Sequence, residues 1–424
     1  MAKIELPYHK KIIEAEINDN NLLGILESKA SEYKAELGQL EIVEKALDNP
    51  INSPKLEQLA ENKKSIVIIS SDHTRPVPSK IIMPALLRRI RSINSDANIT
   101  ILIATGLHRA TTRQELIDKY GEDIVKNEKI VVHDAQNEDN LVKIGTLPSG
   151  GELIVNKLAV KADLLIAEGF IESHCFAGFS GGRKSVLPGI ASAKTILANH
   201  CAEFVAHPSA RVGNLKGNPV HKDMLYAAKK AELAFIINVA LDEDKRIINA
   251  FAGDVNDAHV KGCEFVHNLS KVSKLVGDIS ISTNGGYPLD QNIYQSVKGM
   301  AAAEANCRDG GVIIMVSACS QGHGGETFYN NLANLNTPEE FLKKVSKVPR
   351  NRTVPDQWAS QMLASILSKH TVIVVTDMCD PKIIKNMHMQ QADTFKEALE
   401  RAYGIMGKDA KVVVIPDGLG VIVD

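Results

Sequence analysis

Residues 162–192 read ADLLIAEGFIESHCFAGFSGGRKSVLPGIAS, a buried-strand pattern followed by a glycine-rich loop. The first six residues are an apolar run bounded by turn residues, which is typical of a strand inside a sheet. A histidine, His174, and an Arg183-Lys184 pair lie within the loop, and a second histidine, His200, follows a short helical pattern. The glycines allow the backbone to lie close against a ligand; they are Gly178, Gly181, Gly182 and Gly189. This stretch therefore predicts a strand that delivers a ligand-binding loop.

The loop does not match the triphosphate-binding motif. That motif, G-x-x-x-x-G-K-[ST], requires a glycine directly before the lysine, whereas Arg183 precedes Lys184. A clear strand-borne aspartate for magnesium is also absent from the sequence. Both observations argue against a nucleotide-binding kinase or ATPase, which stays open as an alternative of another class.

The composition excludes several classes of protein. The 424 residues carry 49 basic and 51 acidic side chains without a charge block, which argues against nucleic acid or a membrane surface as partner. The six cysteines are scattered and form no C-x-x-C pair, so neither a zinc site nor a disulfide framework is expected. The first residues lack an apolar signal core, and no apolar run approaches the length of a membrane span. We expect a cytoplasmic protein.

Strand and helix patterns alternate from residue 65 to the end of the chain, which predicts an α/β fold with mostly parallel sheets. The length predicts more than one domain. The break is expected after a long helix, at 270–277, giving an N-terminal α/β domain (1–272) and a C-terminal α/β domain (273–424). An open alternative is that the last residues return to the first domain. Residues 20–46 are expected to be a polar helical stretch.

Polar side chains follow four of the predicted strands. Ligands of open α/β sheets bind outside the carboxyl ends of the strands, so we expect these loops to face one interdomain cleft. Cations, histidines and amides there would suit an anionic ligand and a carboxylate substrate. Each position also has a structural interpretation, such as a capping histidine or a solvated lysine. The loops are 71–76, 105–109, 168–192 and 283–298.

These segments together resemble one family, the nickel-pincer-nucleotide-dependent lactate racemases. The resemblance extends over nearly the whole chain and ends with IPDGLGVIV at 415–423. It implies a two-domain α/β enzyme with its cofactor and active site in the interdomain cleft. The segments that carry it are SSDHTRPVPS (70–79), ATGLHR (104–109), the 168–192 loop, ANH (198–200) and STNGGYPLDQNIYQSVKGM (282–300).

The resemblance implies that Lys184 is joined through a thioamide to a pyridinium mononucleotide that carries nickel. Arg183 should favour the neutral amine of Lys184 by like-charge repulsion. His200 would complete the nickel coordination beside two sulfurs and a ring carbon, a ligand set that suits nickel. The nucleotide would be held by Asp72, His73, Thr74 and Arg75.

The same resemblance implies that His108 and His174 are the acid and base of lactate racemisation. The C2 hydrogen of lactate would leave as a hydride while a histidine takes the hydroxyl proton, and planar pyruvate would accept the hydride back on its other face. Substrate-binding residues would be Gln295 and Lys298 for the carboxylate, with Tyr294, Phe176 and Trp358 as apolar walls. Proteins that make the cofactor and insert nickel are the expected partners. Racemase or epimerase activity on a larger 2-hydroxyacid such as malate is the alternative within the same superfamily. A nickel or cofactor carrier without catalysis is an alternative of another class.

Overall fold

The structure of the protein, a computed structural model, describes residues 1–30 and 32–424. Strands and helices alternate along most of these residues, so the predicted α/β fold with mostly parallel sheets is confirmed. The strands are β1 (Ala2–Tyr8), β2 (Lys11–Ile17), β3 (Leu22–Ile25), β4 (Ser65–Ser71), β5 (Asn98–Ala104), β6 (Lys129–Val132), β7 (Leu141–Thr146), β8 (Glu152–Asn156), β9 (Leu164–Phe170), β10 (Ser173–His174), β11 (Gly178–Phe179), β12 (Leu233–Leu241), β13 (Ile247–Gly253), β14 (Lys271–Val272), β15 (Gly277–Thr283), β16 (Cys307–Val316), β17 (Thr371–Val375), β18 (Gln390–Ala392), β19 (Val412–Ile415) and β20 (Ile422–Val423). The helices are α1 (Gln39–Asp48), α2 (Leu56–Ala60), α3 (Ser79–Ile93), α4 (Arg113–Tyr120), α5 (Glu122–Asn127), α6 (Lys157–Lys161), α7 (Ala193–Asn199), α8 (Ala202–Val205), α9 (Pro219–Lys230), α10 (Asp257–Ser270), α11 (Ile293–Ala305), α12 (Glu326–Ala333), α13 (Pro338–Val345), α14 (Gln357–Leu367), α15 (Pro381–Asn386) and α16 (Phe395–Met406).

The chain forms two compact units. The N-terminal unit comprises Ala30–His200 and His207–Leu269, and the C-terminal unit comprises Met1–Lys29, Cys201–Ala206 and Ser270–Asp424. The predicted division into 1–272 and 273–424 therefore differs from the structure in the first residues of the chain, which belong with the C-terminal unit. The last residues also remain in that unit.

The N-terminal unit is built on a six-stranded sheet in the order β13-β12-β9-β4-β5-β6, parallel except for β13. The central strand β9 is buried along its whole length, as its apolar sequence predicts. Helices α1 to α4 pack with the sheet in one apolar core. From β4 the chain builds outward through β5 and β6, then returns to build through β9, β12 and β13. The carboxyl ends of β4 and β9 therefore meet at a topological switch point, where ligands bind in this fold class.

The C-terminal unit contains a second six-stranded sheet, entirely parallel, in the order β18-β17-β16-β15-β19-β3. Its switch point lies between β15 and β19. Helices α11, α12, α13 and α14 cover one face of this sheet, and α16 covers the other. The loop that follows β15 is thus the expected ligand-facing loop of this unit.

The first 29 residues complete the C-terminal unit. Strands β1 and β2 form an antiparallel hairpin that buries alternate side chains, including Leu6 and Tyr8, against the face covered by α16. Strand β3 then pairs with β19 as the edge of the sheet. The predicted helical stretch at 20–46 is therefore wrong over β3, and α1 begins only at Gln39. A four-residue edge strand forms because its partner strand lies beside it, and its own sequence contains little that indicates a strand.

None of the helices in the described parts of the chain is both long enough and apolar enough to cross a membrane.

We predict that the hairpin is required for the stability of the C-terminal unit. Leu6 is fully buried in its core, so Leu6→Ala should lower the free energy of unfolding by about 2–5 kcal/mol. Leu23→Ala is the matched control, because that side chain on β3 is 43% exposed. Urea unfolding of the two variants measures the difference. Equal midpoints would show that the hairpin is dispensable for this unit.

Candidate active site

Three neighbouring strands of the N-terminal sheet, β9, β4 and β5, deliver the predicted site loops at their carboxyl ends. Asp72, Thr74 and Arg75 follow β4, and His108 follows β5. The 171–192 loop follows β9 and carries His174 and Lys184. Adjacent parallel strands end at the same edge of a sheet, so these loops converge at the switch point.

Asp72 links the loops that follow β4 and β5. Its carboxylate is buried, and one oxygen accepts hydrogen bonds from the Thr74 amide (3.0 Å) and hydroxyl (2.6 Å). The other oxygen lies 2.6 Å from Nδ1 of His108. Burial acts to raise the pKa of Asp72, but the hydrogen bond and charge of His108 outweigh it and leave that pKa lowered. Asp72 is therefore an ionised carboxylate that orients His108.

The two candidate catalytic histidines have different partners at Nδ1. Because Nδ1 of His108 faces a carboxylate, we assign the proton to Nδ1 and leave Nε2 as the basic nitrogen. Nδ1 of His174 instead accepts a hydrogen bond from the Ala177 amide at 3.3 Å, so its neutral ring carries the proton on Nε2. In its neutral form, His108 therefore has a basic Nε2. Neutral His174 instead has an Nε2–H group that can donate a hydrogen bond.

The glycines of the 171–192 loop are required by its backbone. Gly181 and Gly182 have φ of 80° and 52°, values that side chains disfavour. A Cβ on Gly181 would lie 2.7 Å from the carbonyl oxygen of Phe170, and one on Gly182 would lie 2.7 Å from the ring of His259. The amide of Gly182 donates to Asn238 of β12 at 2.7 Å. This close packing sets the short 3-10 turn Gly182–Ser185 that carries Lys184.

Arg183 is fully buried beneath this turn. Its guanidinium donates to the carbonyl oxygens of Ala177 (2.8 Å) and Gly181 (3.2 Å). Nε donates to Nδ1 of His221 at 3.1 Å, and one terminal nitrogen lies 2.9 Å from Nε2 of His259. Burial and the Arg183 charge lower the pKa of both histidines, that of His221 to about 4. These two rings are neutral structural partners of the arginine.

The surroundings of Lys184 and His200 lower the pKa of both side chains. Burial is the largest cause, and the charges of Arg183 and Arg75 add to it, so that the pKa of Lys184 is lowered to about 7. The predicted repulsion from Arg183 therefore contributes to the lowered pKa of Lys184, but burial contributes more. His200 ends α7 and is buried, and burial together with the Lys184 charge lowers its pKa to about 3. An unprotonated imidazole is the form that binds a metal ion.

Phe176 and His73 complete this part of the site. The ring of Phe176 is buried and packs edge-on against His174 at 4.7 Å and His200 at 5.1 Å between ring centroids. Nδ1 of His73 lies 3.1 Å from the Thr111 hydroxyl, just before α4. The structure therefore joins His174, Phe176, His200 and Lys184 in one cluster, while His73 is held against the start of α4.

The remaining candidate residues lie in the C-terminal unit, around the loop that follows β15. Asn284 is fully buried and holds this loop, since its amide donates to the carbonyl oxygens of Leu289 and Gln295 at 2.8 Å each. Gln295 and Lys298 lie on the first turns of α11, and Lys298 is exposed. Tyr294 precedes Gln295, and its hydroxyl accepts a hydrogen bond from Nε1 of Trp358 on α14 at 3.2 Å.

Sequence patterns did not reveal two of these arrangements. Asp72 was expected only as a nucleotide ligand, because nothing local connects it with His108, 36 residues away. Arg183 was expected to be a neighbouring charge, yet it is the buried centre of the loop. The one local sign that Arg183 would be buried in the loop was the high density of glycines around it in the sequence.

Comparison with known proteins agrees with these observations. The chain matches the family model of the lactate racemase N-terminal domain over residues 8–213 and that of the C-terminal domain over 272–423. It is 62% identical to the lactate racemase of Lactiplantibacillus plantarum, covering 100% of both chains. It is 56% identical to that of Thermoanaerobacterium thermosaccharolyticum, covering 100% of this chain and 99% of the relative.

Solved structures give the same result for the fold. The lactate racemase apoprotein from Thermoanaerobacterium thermosaccharolyticum superposes with a TM-score of 0.97 at 56% identity over 100% of both chains. A structural-genomics target from Thermotoga maritima has a TM-score of 0.67 at 20% identity, covering 92% of this chain and 100% of that one, which reflects the fold alone.

We predict that Lys184 of the unmodified protein reacts with amine reagents near neutral pH. Only the neutral amine is nucleophilic, so labelling should rise as the pH is raised through about 7. Peptide mass spectrometry after brief labelling over a pH series measures this. The denatured chain is the control, in which the same lysine should need a pH about three units higher. Identical pH profiles for the native and denatured chains would contradict the lowered pKa.

Proposed function

The chain belongs to the lactate racemase family and is an isomerase of that family, and we propose that it interconverts L- and D-lactate by reversible hydride transfer. In this proposal a nickel-pincer nucleotide is held on Lys184, and His108 and His174 are the acid and base. The observation that carries it is the buried imidazole of His200 close enough to Lys184 to be affected by its charge, with burial lowering the pKa of that lysine to about 7.

The residues of the N-terminal unit fit this cofactor. Lys184 offers an amine of lowered pKa for covalent attachment, and His200 offers an unprotonated nitrogen for nickel. Arg75 is exposed at the carboxyl end of β4, where its charge suits the phosphate of a nucleotide. Thr74 and His73 lie beside it on the same loop. When bound, the cofactor would accept the C2 hydride of lactate and return it to pyruvate.

The histidines move the hydroxyl proton. The C2 hydrogen of lactate is too weakly acidic for a side-chain base to remove as a proton, so the base is needed only at the hydroxyl oxygen. Nε2 of His108 is available for that proton, because Asp72 holds Nδ1. His174 would act as the acid in its protonated form, giving its Nε2 proton to the carbonyl oxygen of pyruvate presented in the opposite orientation and becoming neutral. The proton that His108 gains then balances the one that His174 gives up. The roles exchange when the reaction runs from the other enantiomer.

The substrate carboxylate would be bound by Gln295 and Lys298 on α11. The exposed ammonium of Lys298 is free of any carboxylate partner among the described residues, so it can form a charged hydrogen bond with the ligand. Phe176, Tyr294 and Trp358 would form apolar walls around the methyl group of lactate.

We predict that the protein racemises lactate only when it is produced together with proteins that make the cofactor and insert nickel. Active protein should contain about one nickel and show a mass increase in the peptide that carries Lys184. Lys184→Ala should lose both the mass increase and activity, whereas Lys194→Ala should keep them, because that side chain is 62% exposed on α7. L- to D-lactate conversion in unmodified, nickel-free protein would contradict the proposal.

We further predict that each histidine serves one enantiomer. His108→Ala and His174→Ala should each lower net racemisation by about 10²–10⁴-fold, and equally in both directions because the enantiomers have equal energy. The amount of pyruvate formed in a single turnover need not change equally for the two enantiomers, because it reports only the first half of the reaction. Each cofactor-loaded variant is mixed with each enantiomer and quenched, and the two variants should prefer opposite enantiomers. His207→Ala, an exposed histidine, is the control. The same preference in both variants would contradict the two-base assignment.

A further inference from the structure

A buried carboxyl group of β9, that of Glu168, is bonded to both ends of the loop that carries Asp72. This loop, residues 71–78, is flanked by Ser70 of β4 and by Ser79, the first residue of α3. The hydroxyl groups of both serines donate hydrogen bonds to Oε1 of Glu168, that of Ser79 at 2.5 Å. The other oxygen, Oε2, is buried and accepts no hydrogen bond from the described residues. The two ends of the loop are therefore joined to a single atom of the neighbouring strand.

These hydrogen bonds lie in the interior of the N-terminal unit. Ser70, Ser79 and Glu168 are each at most 1% exposed, and a hydrogen bond shielded from water is stronger than one at the surface. The hydroxyl of Tyr120, at the end of α4, donates in turn to Oγ of Ser70 at 2.5 Å. Burial raises the pKa of Tyr120 well above its usual range, so that hydroxyl keeps its proton. Glu168 is thus the acceptor at which these donors converge.

The loop between the two serines is built around Asp72. The amides of Thr74 and Arg75 donate to its side chain (3.0 Å) and to its carbonyl oxygen (3.3 Å). The same carboxylate lies 2.6 Å from Nδ1 of His108, on the loop that follows β5. The internal bonds set the shape of this turn, whereas its position relative to His108 depends also on how the ends of the loop are held.

We propose that Glu168 is a positioning residue that places His108 by holding both ends of the 71–78 loop. This rests on the proposed function, in which His108 and His174 each serve one enantiomer. The path from Glu168 runs through the ends of the loop to His108, whereas Nδ1 of His174 is held by an amide of its own loop. Loss of the serine hydrogen bonds should therefore impair one histidine and spare the other.

The holding of the loop is tested without cofactor or activity. Ser79→Ala removes one donor to Glu168, so amide hydrogen exchange of peptide 71–78 in the unmodified protein should become about tenfold faster by mass spectrometry. Ser92→Ala is the matched control, because that hydroxyl is exposed near the other end of α3 and donates to the Arg89 carbonyl at 2.8 Å. Exchange of β12 should stay unchanged in both variants, which separates a local effect from a general loss of structure.

A second comparison tests whether Glu168 is the acceptor through which Ser79 acts. Glu168→Met keeps a side chain of similar length without the carboxylate oxygens, so it should speed exchange of the 71–78 loop at least as much as Ser79→Ala does. In that background Ser79→Ala should add nothing further, because its acceptor is already gone. Additive effects of the two substitutions would show that the serine holds the loop through another partner and would overturn the assignment to Glu168.

The consequence for His108 is tested with the cofactor-loaded enzyme in a single turnover. Ser79→Ala should slow pyruvate formation about tenfold from the enantiomer that His108→Ala fails to convert, and should leave the other enantiomer unaffected. Ser92→Ala should convert both enantiomers as the native enzyme does. An equal loss from both enantiomers, or a loss from neither, would overturn the positioning of His108, because a merely structural role does not select between them.

The two measurements fail independently. Unchanged exchange of the 71–78 loop in both Ser79→Ala and Glu168→Met would overturn the holding of the loop. A native enzyme that does not convert lactate contradicts the proposed function instead, and the exchange experiment still decides whether Glu168 holds the loop.

Discussion

The buried guanidinium of Arg183 is the constraint on which the loop of the N-terminal site depends. A buried charge must be compensated, and the partners of this one are the carbonyl oxygens of its own loop and two imidazoles. Satisfying them folds residues 177–183 around the side chain. Lys184 is then held next to the positive charge of Arg183, and its burial already disfavours the protonated form. The residue that shapes the loop therefore also contributes to the lowered pKa of Lys184.

The two histidines differ because their partners come from different strands. The loop after β4 supplies a carboxylate, Asp72, to Nδ1 of His108, while a backbone amide of the loop after β9 is given to Nδ1 of His174. A carboxylate selects one tautomer and an amide donor selects the other. In their neutral forms, His108 therefore has an unprotonated Nε2, whereas His174 carries a proton on that atom. The tautomer of each histidine is thus decided by its partner at Nδ1 and not by the residues next to it in the sequence.

Both units place their loops by the same topological rule. In each sheet the chain builds outward from a central strand and later returns to its other side, so that the first loop after that strand lies at a switch point. In the C-terminal sheet, β3 pairs with β19 as the edge strand, and the β1–β2 hairpin packs over one face. Residues at the start of the chain therefore support the loop that carries Gln295 and Lys298. Contacts within this unit, such as that between Asp290 and the amide of His9 at 2.6 Å, make the support direct.

Much of the fold could be predicted from the sequence, and so could the loops that follow β4, β5 and β9 at one edge of the N-terminal sheet. Apolar runs such as 164–167 and the helix patterns of α3, α9 and α16 carry their periodicity locally, so they define an α/β chain without its partners. Glycines at 178, 181 and 182 mark a loop that packs against its surroundings, because their backbone conformations are closed to other residues. What the tertiary structure decided is which distant groups meet. The strand at 22–25 pairs with the edge that β19 offers, and the carboxylate of Asp72 reaches His108 because β4 and β5 are neighbours. Burial of Lys184, together with the charge of Arg183, lowers the pKa of that lysine. The pKa shifts and the pairing of an edge strand depend on distances between residues that are far apart in the sequence. A local pattern of residues does not contain those distances.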